Sequence, residues 1–148
     1  MNITNLLQEK NIFLGLKSGS KREFLQDLAQ RASNCCSIDA LTLFDAIMER
    51  ENLGSTGMGN GVAIPHGRFC ELDHPLVFFA RPTDAVEFDS IDGKPVDLVF
   101  LLISPENSGA DHLTALALLS RCLKDNSICE RLRQMATSTE IYALLSEI

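Results

Sequence analysis

The chain of 148 residues has 45% hydrophobic and 22% charged residues, the composition of a globular domain that buries about 70% of its unfolded surface around one core without metals or disulfides. Its formal net charge of −7 opposes binding to a polyanion, because nucleic-acid affinity rests on Lys and Arg neutralising phosphates. Five cysteines (35, 36, 70, 122, 129) without C-x-x-C spacing predict reduced thiols, and neither a signal peptide nor an apolar run longer than Leu98 to Ile103 stands in the chain, so a cytoplasmic protein with no direct membrane insertion is expected.

Ile3 to Leu7 reads as a short helix and Ile12 to Leu16 as a short strand. Ser20-Lys-Arg-Glu23 has capping-box spacing, and Phe24, Leu25, Leu28, Ala29 and Ala32 then form one apolar face, which predicts a helix from about Lys21 to Ser33. Asp39 caps a second predicted helix with Phe44, Ile47 and Met48 inward and Arg50 near its C-terminal end. After a glycine-rich stretch, the apolar Val62 to Ile64, Leu76 to Ala80 and the alternating Val86 to Phe88 read as strands, with a turn at Asp92-Gly93. Val96 to Ile103 is nearly continuous apolar residue, which predicts a central strand covered on both faces.

Asp111 caps a predicted helix to about Lys124 with Leu113, Leu116, Ala117, Leu119, Cys122 and Leu123 on its core side. Two further boxes, Ser127-Ile-Cys-Glu130 and Thr137-Ser-Thr-Glu140, open short helices, the last carrying Ile141, Leu144, Leu145 and Ile148. The interleaving predicts one α/β domain over residues 1–148, a sandwich whose mixed sheet of about five strands has helices on both faces.

Five of the nine glycines (54, 57, 59, 61, 67) fall between Arg50 and Arg68. Glycine permits positive φ and close approach, and consecutive N–H groups in such a loop can form a concave anion site. Pro65 holds His66 in a defined position after the apolar run. A P-loop is excluded because Val-Ala stands where Lys-Ser or Lys-Thr is required, and a dinucleotide fingerprint should open a helix where this stretch enters a strand. A plain surface turn followed by a strand, with His66 merely exposed, fits the spacing equally well.

Arg50-Glu51, Leu53-Gly54-Ser55-Thr56-Gly57 and Gly59-Asn-Gly-Val-Ala-Ile-Pro-His-Gly-Arg68 resemble the active-site signature of the fructose/mannitol-class enzyme IIA domains of the phosphoenolpyruvate-dependent phosphotransferase system. Phe88 to Leu98 and the Gly-Ser-Thr-Gly wording resemble the nitrogen-regulatory branch more than the sugar-transport branch, and the similarity runs to the last helix. The resemblance implies the same α/β sandwich and a phosphotransferase that takes a phosphoryl group from a histidine phosphocarrier protein (HPr- or NPr-like) onto His66 Nε2, with neither metal nor cofactor. It implies that His112, in His112-Leu-Thr-Ala-Leu-Ala-Leu118, is a hydrogen-bond partner of His66 or its phosphoryl group. By itself the residue reads as a solvent-facing first-turn histidine. Arg50 is implied as the active-site arginine; on charge alone it is a cation favourable at a helix C-terminus. Thr56, Gly57 and Gly59 are further candidates for contacts to phosphoryl oxygens.

Two readings from other classes remain. His66-x-x-x-Cys70-x-x-x-His74 suggests a thiol nucleophile or metal site, against which no further ligand stands at metal spacing. A non-catalytic regulatory module is the other. The chain shows no second phosphoacceptor domain or membrane spans, so an onward receiver is expected on another polypeptide. The nitrogen-regulatory resemblance implies a phosphorylation state that adjusts a potassium transporter or sensor kinase. The alternative is the IIA component of a fructose/mannitol-type transporter with separate chains.

Overall fold

The computed structural model describes all residues 1–148. Two single-turn 3-10 helices, Ile3–Asn5 and Glu9–Asn11, lead into β1 (Ile12–Leu16), followed by α1 (Lys21–Ser33) and α2 (Ala40–Leu53). Strands β2 (Gly57–Gly59), β3 (Val62–Ala63), β4 (His66–Phe69), β5 (Leu76–Pro82) and β6 (Leu98–Pro105) come next. The chain closes with α3 (Ala110–Lys124), α4 (Asn126–Gln134) and α5 (Ser138–Leu145).

The sheet has six strands in the order β1-β5-β6-β3-β2, with β4 also paired to β6. It is mixed: β6 runs antiparallel to β5 and parallel to β3 and β4. The apolar run expected at the centre is there. Along β6, Leu98, Phe100 and Leu102 point into one cluster and Val99, Leu101 and Ile103 into another, the period of two that a strand buried on both faces requires. The first cluster packs against α3, α4 and α5, the second against α1 and α2. The expected sandwich is therefore borne out, with one strand more than the sequence suggested.

Two strands, β2 and β4, stand outside the expected set while the one expected at Val86 to Phe88 does not form, and β4 arises at Pro65. Val62–Ala63 pairs with Leu98–Val99, and His66–Phe69 pairs with Leu102–Pro105 further along the same side of β6. Proline has no N–H to donate to a ladder, so pairing breaks at Ile64-Pro65 and resumes at His66. His66 thus opens a paired strand and does not dangle past the end of one.

Local signals held where partners are adjacent in sequence. Ser20 Oγ accepts from Glu23 N and Thr137 Oγ1 from Glu140 N, capping α1 and α5, although the Glu23 carboxylate reaches Gly19 N rather than the Ser20 N–H. The box expected at Ser127 is displaced: Asp125 is the N-cap of α4 and accepts from Ser127 N and Ile128 N, so the helix starts two residues earlier and Ser127 lies inside its first turn. The strand expected at Val86 to Phe88 is only a single bridge, Val86 to Val96.

The face predicted for α3 is rotated. His112, Ala115, Leu119, Cys122 and Leu123 are buried, whereas Ala117 is exposed and Leu113 is 63% exposed. A hydrogen bond draws the His112 ring inward and turns Leu113 out. That rotation builds the site.

Candidate active site

The glycine-rich stretch folds as a hairpin. Asn60 (φ 57°) and Gly61 (φ 81°) are the two residues between β2 and β3, and two consecutive positive φ values are what a type I′ turn needs, with Asn-Gly its preferred sequence. The remaining tightness comes from the β5–β6 connection closing over the loop. A Cβ on Gly57 would lie 2.3 Å from Ser90 Oγ, and Asp92 accepts from Asn60 N at 2.8 Å.

Three backbone donors of the expected anion site have partners within the protein. Thr56 N donates to the Glu51 carboxylate, Gly57 N to Ser55 Oγ and Asn60 N to Asp92, so those three donors are already engaged. The Thr56 hydroxyl is left instead: Oγ1 is buried, has no partner, and its residue lines a cavity together with His66 and Arg50.

His66 sits at the start of β4 with Nδ1 2.9 Å from the Ile64 carbonyl oxygen. A carbonyl only accepts, so Nδ1 carries the proton in the neutral ring and Nε2, which makes no hydrogen bond, keeps its lone pair. Burial disfavours the imidazolium and lowers the pKa below the ordinary histidine value; the cations Arg50 and Arg68 lower it further, while the Ile64 bond and Glu51 oppose them.

His112 faces it. The two ring centroids are 5.6 Å apart and the planes are inclined by 57°. His112 is buried at the third position of α3, and its Nδ1 is 2.7 Å from Ser104 Oγ at the end of β6. Burial, then Arg68 and His66, press its pKa down to about 4, so it is neutral at physiological pH.

Around the pair lies an open cleft of about 470 Å³ to which α2 gives Arg50 and Leu53, β4 gives Arg68, and α3 gives Leu113. Leu53 is 83% exposed, and Ile91, beside the adjoining cavity at Thr56, is 97% exposed. Arg50 lies in the last turn of α2, where its Nη1 donates to the Gly54 carbonyl at 2.8 Å. The cleft thus carries two cations, Arg50 and Arg68, and one carboxylate, Glu49, beside exposed apolar side chains.

The structure sets His66, His112 and Arg50 on this cleft, and Thr56 and Gly57 with His66 and Arg50 on the adjoining cavity, while Gly59 lies under Asp92. Three contributors escaped the sequence reading. Arg68 shares a face with His66 because residues two apart on a strand do. Ser104 is the one hydroxyl in the buried run of β6. Glu51 is a buried charge whose side chain is 1% exposed, 3.0 Å from Lys21 Nζ. Cys70 and His74 line a different cavity, Cys70 bonded to Glu71 and His74 to Asp73, and no group of three His, Cys, Asp or Glu is arranged to hold a metal. No helix is long and apolar enough to cross a membrane.

Comparison with known proteins shows the family and the fold. Residues 5–148 match the family model "Phosphoenolpyruvate-dependent sugar phosphotransferase system, EIIA 2". The chain is 43% identical to a nitrogen regulatory protein of Bradyrhizobium diazoefficiens, covering 99% of this chain and 95% of that one. It is 37% identical to a fructose-specific EIIA component of Haloferax volcanii over 85% of this chain and 80% of that one. The crystal structure of nitrogen regulatory protein IIA-Ntr from Neisseria meningitidis superposes with a TM-score of 0.91 at 36% identity, covering 97% and 98% of the two chains. A match that spans both histidines and every element of the sheet leaves one conclusion: the chain belongs to the EIIA type 2 family, phosphotransferase-type components of the phosphoenolpyruvate-dependent phosphotransferase system, and is similar to its nitrogen-regulatory members.

Proposed function

We propose that the protein accepts a phosphoryl group on His66 Nε2 from a phosphohistidine of a histidine phosphocarrier protein (HPr- or NPr-like) and relays or displays it. The observation that carries this reading is the Ile64 carbonyl on Nδ1, which leaves a neutral ring with its free nitrogen as nucleophile beside two guanidinium groups. The P–N bond to the donor ring breaks as the P–N bond to His66 forms, in line. Catalysis then rests on positioning and on stabilising charge at the equatorial oxygens. Arg50 supplies a planar guanidinium for those oxygens and the Thr56 hydroxyl a neutral donor. Gly57 and Gly59 serve by letting Ser90 and Asp92 close over the loop. With Ser104 donating to its Nδ1, His112 carries its proton on Nε2 and donates to the phosphoryl group.

The rim supports a protein donor. Leu53, Leu113 and Ile91 are exposed apolar side chains beside Arg50 and Arg68, suited to a carrier with an apolar surface around its own phosphohistidine. Similarity to nitrogen regulatory proteins favours a cytoplasmic signalling role. There the phosphoryl charge on His66 makes or abolishes a surface for a regulated target, such as a potassium transporter or sensor kinase. Similarity to a fructose-specific EIIA component keeps a second reading, onward transfer to a sugar transporter on separate chains.

Intact mass after incubation with phosphoenolpyruvate, enzyme I and carrier tests the assignment. One acid-labile phosphoryl group is expected on wild type and none on His66→Ala. Histidine labelling of folded His66→Ala would overturn it.

A further inference from the structure

Glu51 does not line the cleft, yet few charges in the molecule are buried so completely. Its carboxylate is 3.0 Å from Lys21 Nζ at the start of α1, and both oxygens lie 3.2 Å from Thr56 N. Lys21 Nζ also reaches the Phe88 carbonyl, which accepts from the Ser55 hydroxyl as well. A buried ion pair rarely repays its desolvation as stability alone. This one ties two helices to the loop beside the nucleophile.

From that pair a chain of hydrogen bonds leads to the imidazole. Glu51 takes the Thr56 N–H, the Thr56 carbonyl takes the Ile64 N–H at 3.2 Å, and the Ile64 carbonyl takes the His66 Nδ1–H at 2.9 Å. Thr56 and Ile64 are thus each held at both ends. The cavity-lining residue with the buried, unpaired hydroxyl and the residue that sets the tautomer of His66 share one anchor.

We propose that Glu51, locked by Lys21, is a positioning residue for phosphoryl transfer: by holding Thr56 N–H it fixes Ile64 and so the orientation and tautomer of His66. The inference rests on the phosphoryl-transfer reading above. Misplacing a nucleophile by an ångström costs roughly a hundredfold in rate, so an anchor three hydrogen bonds away has leverage over kcat without touching the carrier.

Because removing one partner of a buried pair endangers folding, the test replaces both. Lys21→Met/Glu51→Leu keeps volume and removes the acceptor; Lys21→Met/Glu51→Gln is equally uncharged and returns an acceptor to Thr56 N–H. With both variants folded by NMR, the Leu variant should lose roughly 10- to 100-fold in kcat for His66 labelling, with KM for the carrier within about twofold of wild type. The Gln variant should recover most of the loss. Wild-type kcat in the Leu variant, equal slowing of both, or a loss confined to KM would overturn the proposal. If wild type takes no label, the transfer reading itself fails. Exchange of the His66 Nδ1–H proton then decides the anchoring: it must be faster in the Leu variant and restored in the Gln variant, and unchanged exchange would overturn it.

Discussion

His66 and His112 meet ring to ring at 5.6 Å, yet each is held through Nδ1 by a different strand-side group, His66 by the Ile64 carbonyl and His112 by the Ser104 hydroxyl. The difference between a carbonyl and a hydroxyl matters. A carbonyl only accepts and so dictates the Nδ1–H form of His66, whereas a hydroxyl can donate and so permits the Nε2–H form of His112. One ring is thereby suited to attack and its neighbour to donate.

His112→Ala should leave the acceptor at His66 but slow transfer by roughly 10- to 100-fold, the scale of losing a donor to developing charge. It also strands the buried Ser104 hydroxyl, at about 1–3 kcal/mol of stability. Ser104→Ala is the milder variant. It should slow transfer about fivefold, the worth of one hydrogen bond, and shift the His112 tautomer seen by ¹⁵N NMR. Label found on position 112 in the wild type would reverse the two roles.

Stability should depend on pH through His112. Its folded pKa, about 4, lies below the ordinary 6.5, so the unfolded chain binds the proton more readily and the stabilisation is fully present above pH 6.5. It is lost as pH falls toward 4, at about 1.4 kcal/mol per pH unit and roughly 3 kcal/mol in all. Urea titrations of wild type and His112→Asn should separate this slope from that of the carboxylates. By the same sign, the lowered pKa of His66 keeps its nucleophile neutral, and labelling rates should stay flat down to the ordinary histidine range. An inflection above pH 6.5 would contradict that.

Gly57→Ala should destabilise the fold by about 1–3 kcal/mol, since its Cβ would fall 2.3 Å from Ser90 Oγ. Adding Ser90→Gly should recover much of the loss in thermal melts. No recovery would mean that the glycine answers to something other than the crossing loop.

Alkylation of Cys70 should leave labelling unchanged. The thiol is exposed, its hydrogen bond with Glu71 raises its pKa, and it lines a cavity separate from that of His66. Loss of transfer in the folded, alkylated protein would return Cys70 to the site.

Similarity of sequence carried the assignment of His66, His112 and Arg50 further than periodicity could. Spacing alone left His66 as an exposed turn residue and His112 as a solvent-facing one. In the fold His112 is buried, and the helix that carries it is rotated from the face its apolar residues suggested. An apolar count cannot foresee that a histidine will displace Leu113 from the core side. That choice depends on a serine eight residues earlier on another element.

What the sequence determined by itself were the features whose causes are local. The extents of β1 and α1, the caps at Ser20, Asp39 and Thr137, and the two-faced burial of β6 follow from side-chain period and from donors within four residues. Only the tertiary structure decided how polar groups were satisfied across the sheet. It set Ser104 against His112, buried Glu51 under Lys21 and engaged the Asn60 N–H with Asp92. A buried donor or acceptor must find a partner wherever packing brings one, and when that partner is 30 or more residues away, as for Lys21 with Glu51 and Asn60 with Asp92, no window of sequence contains the answer.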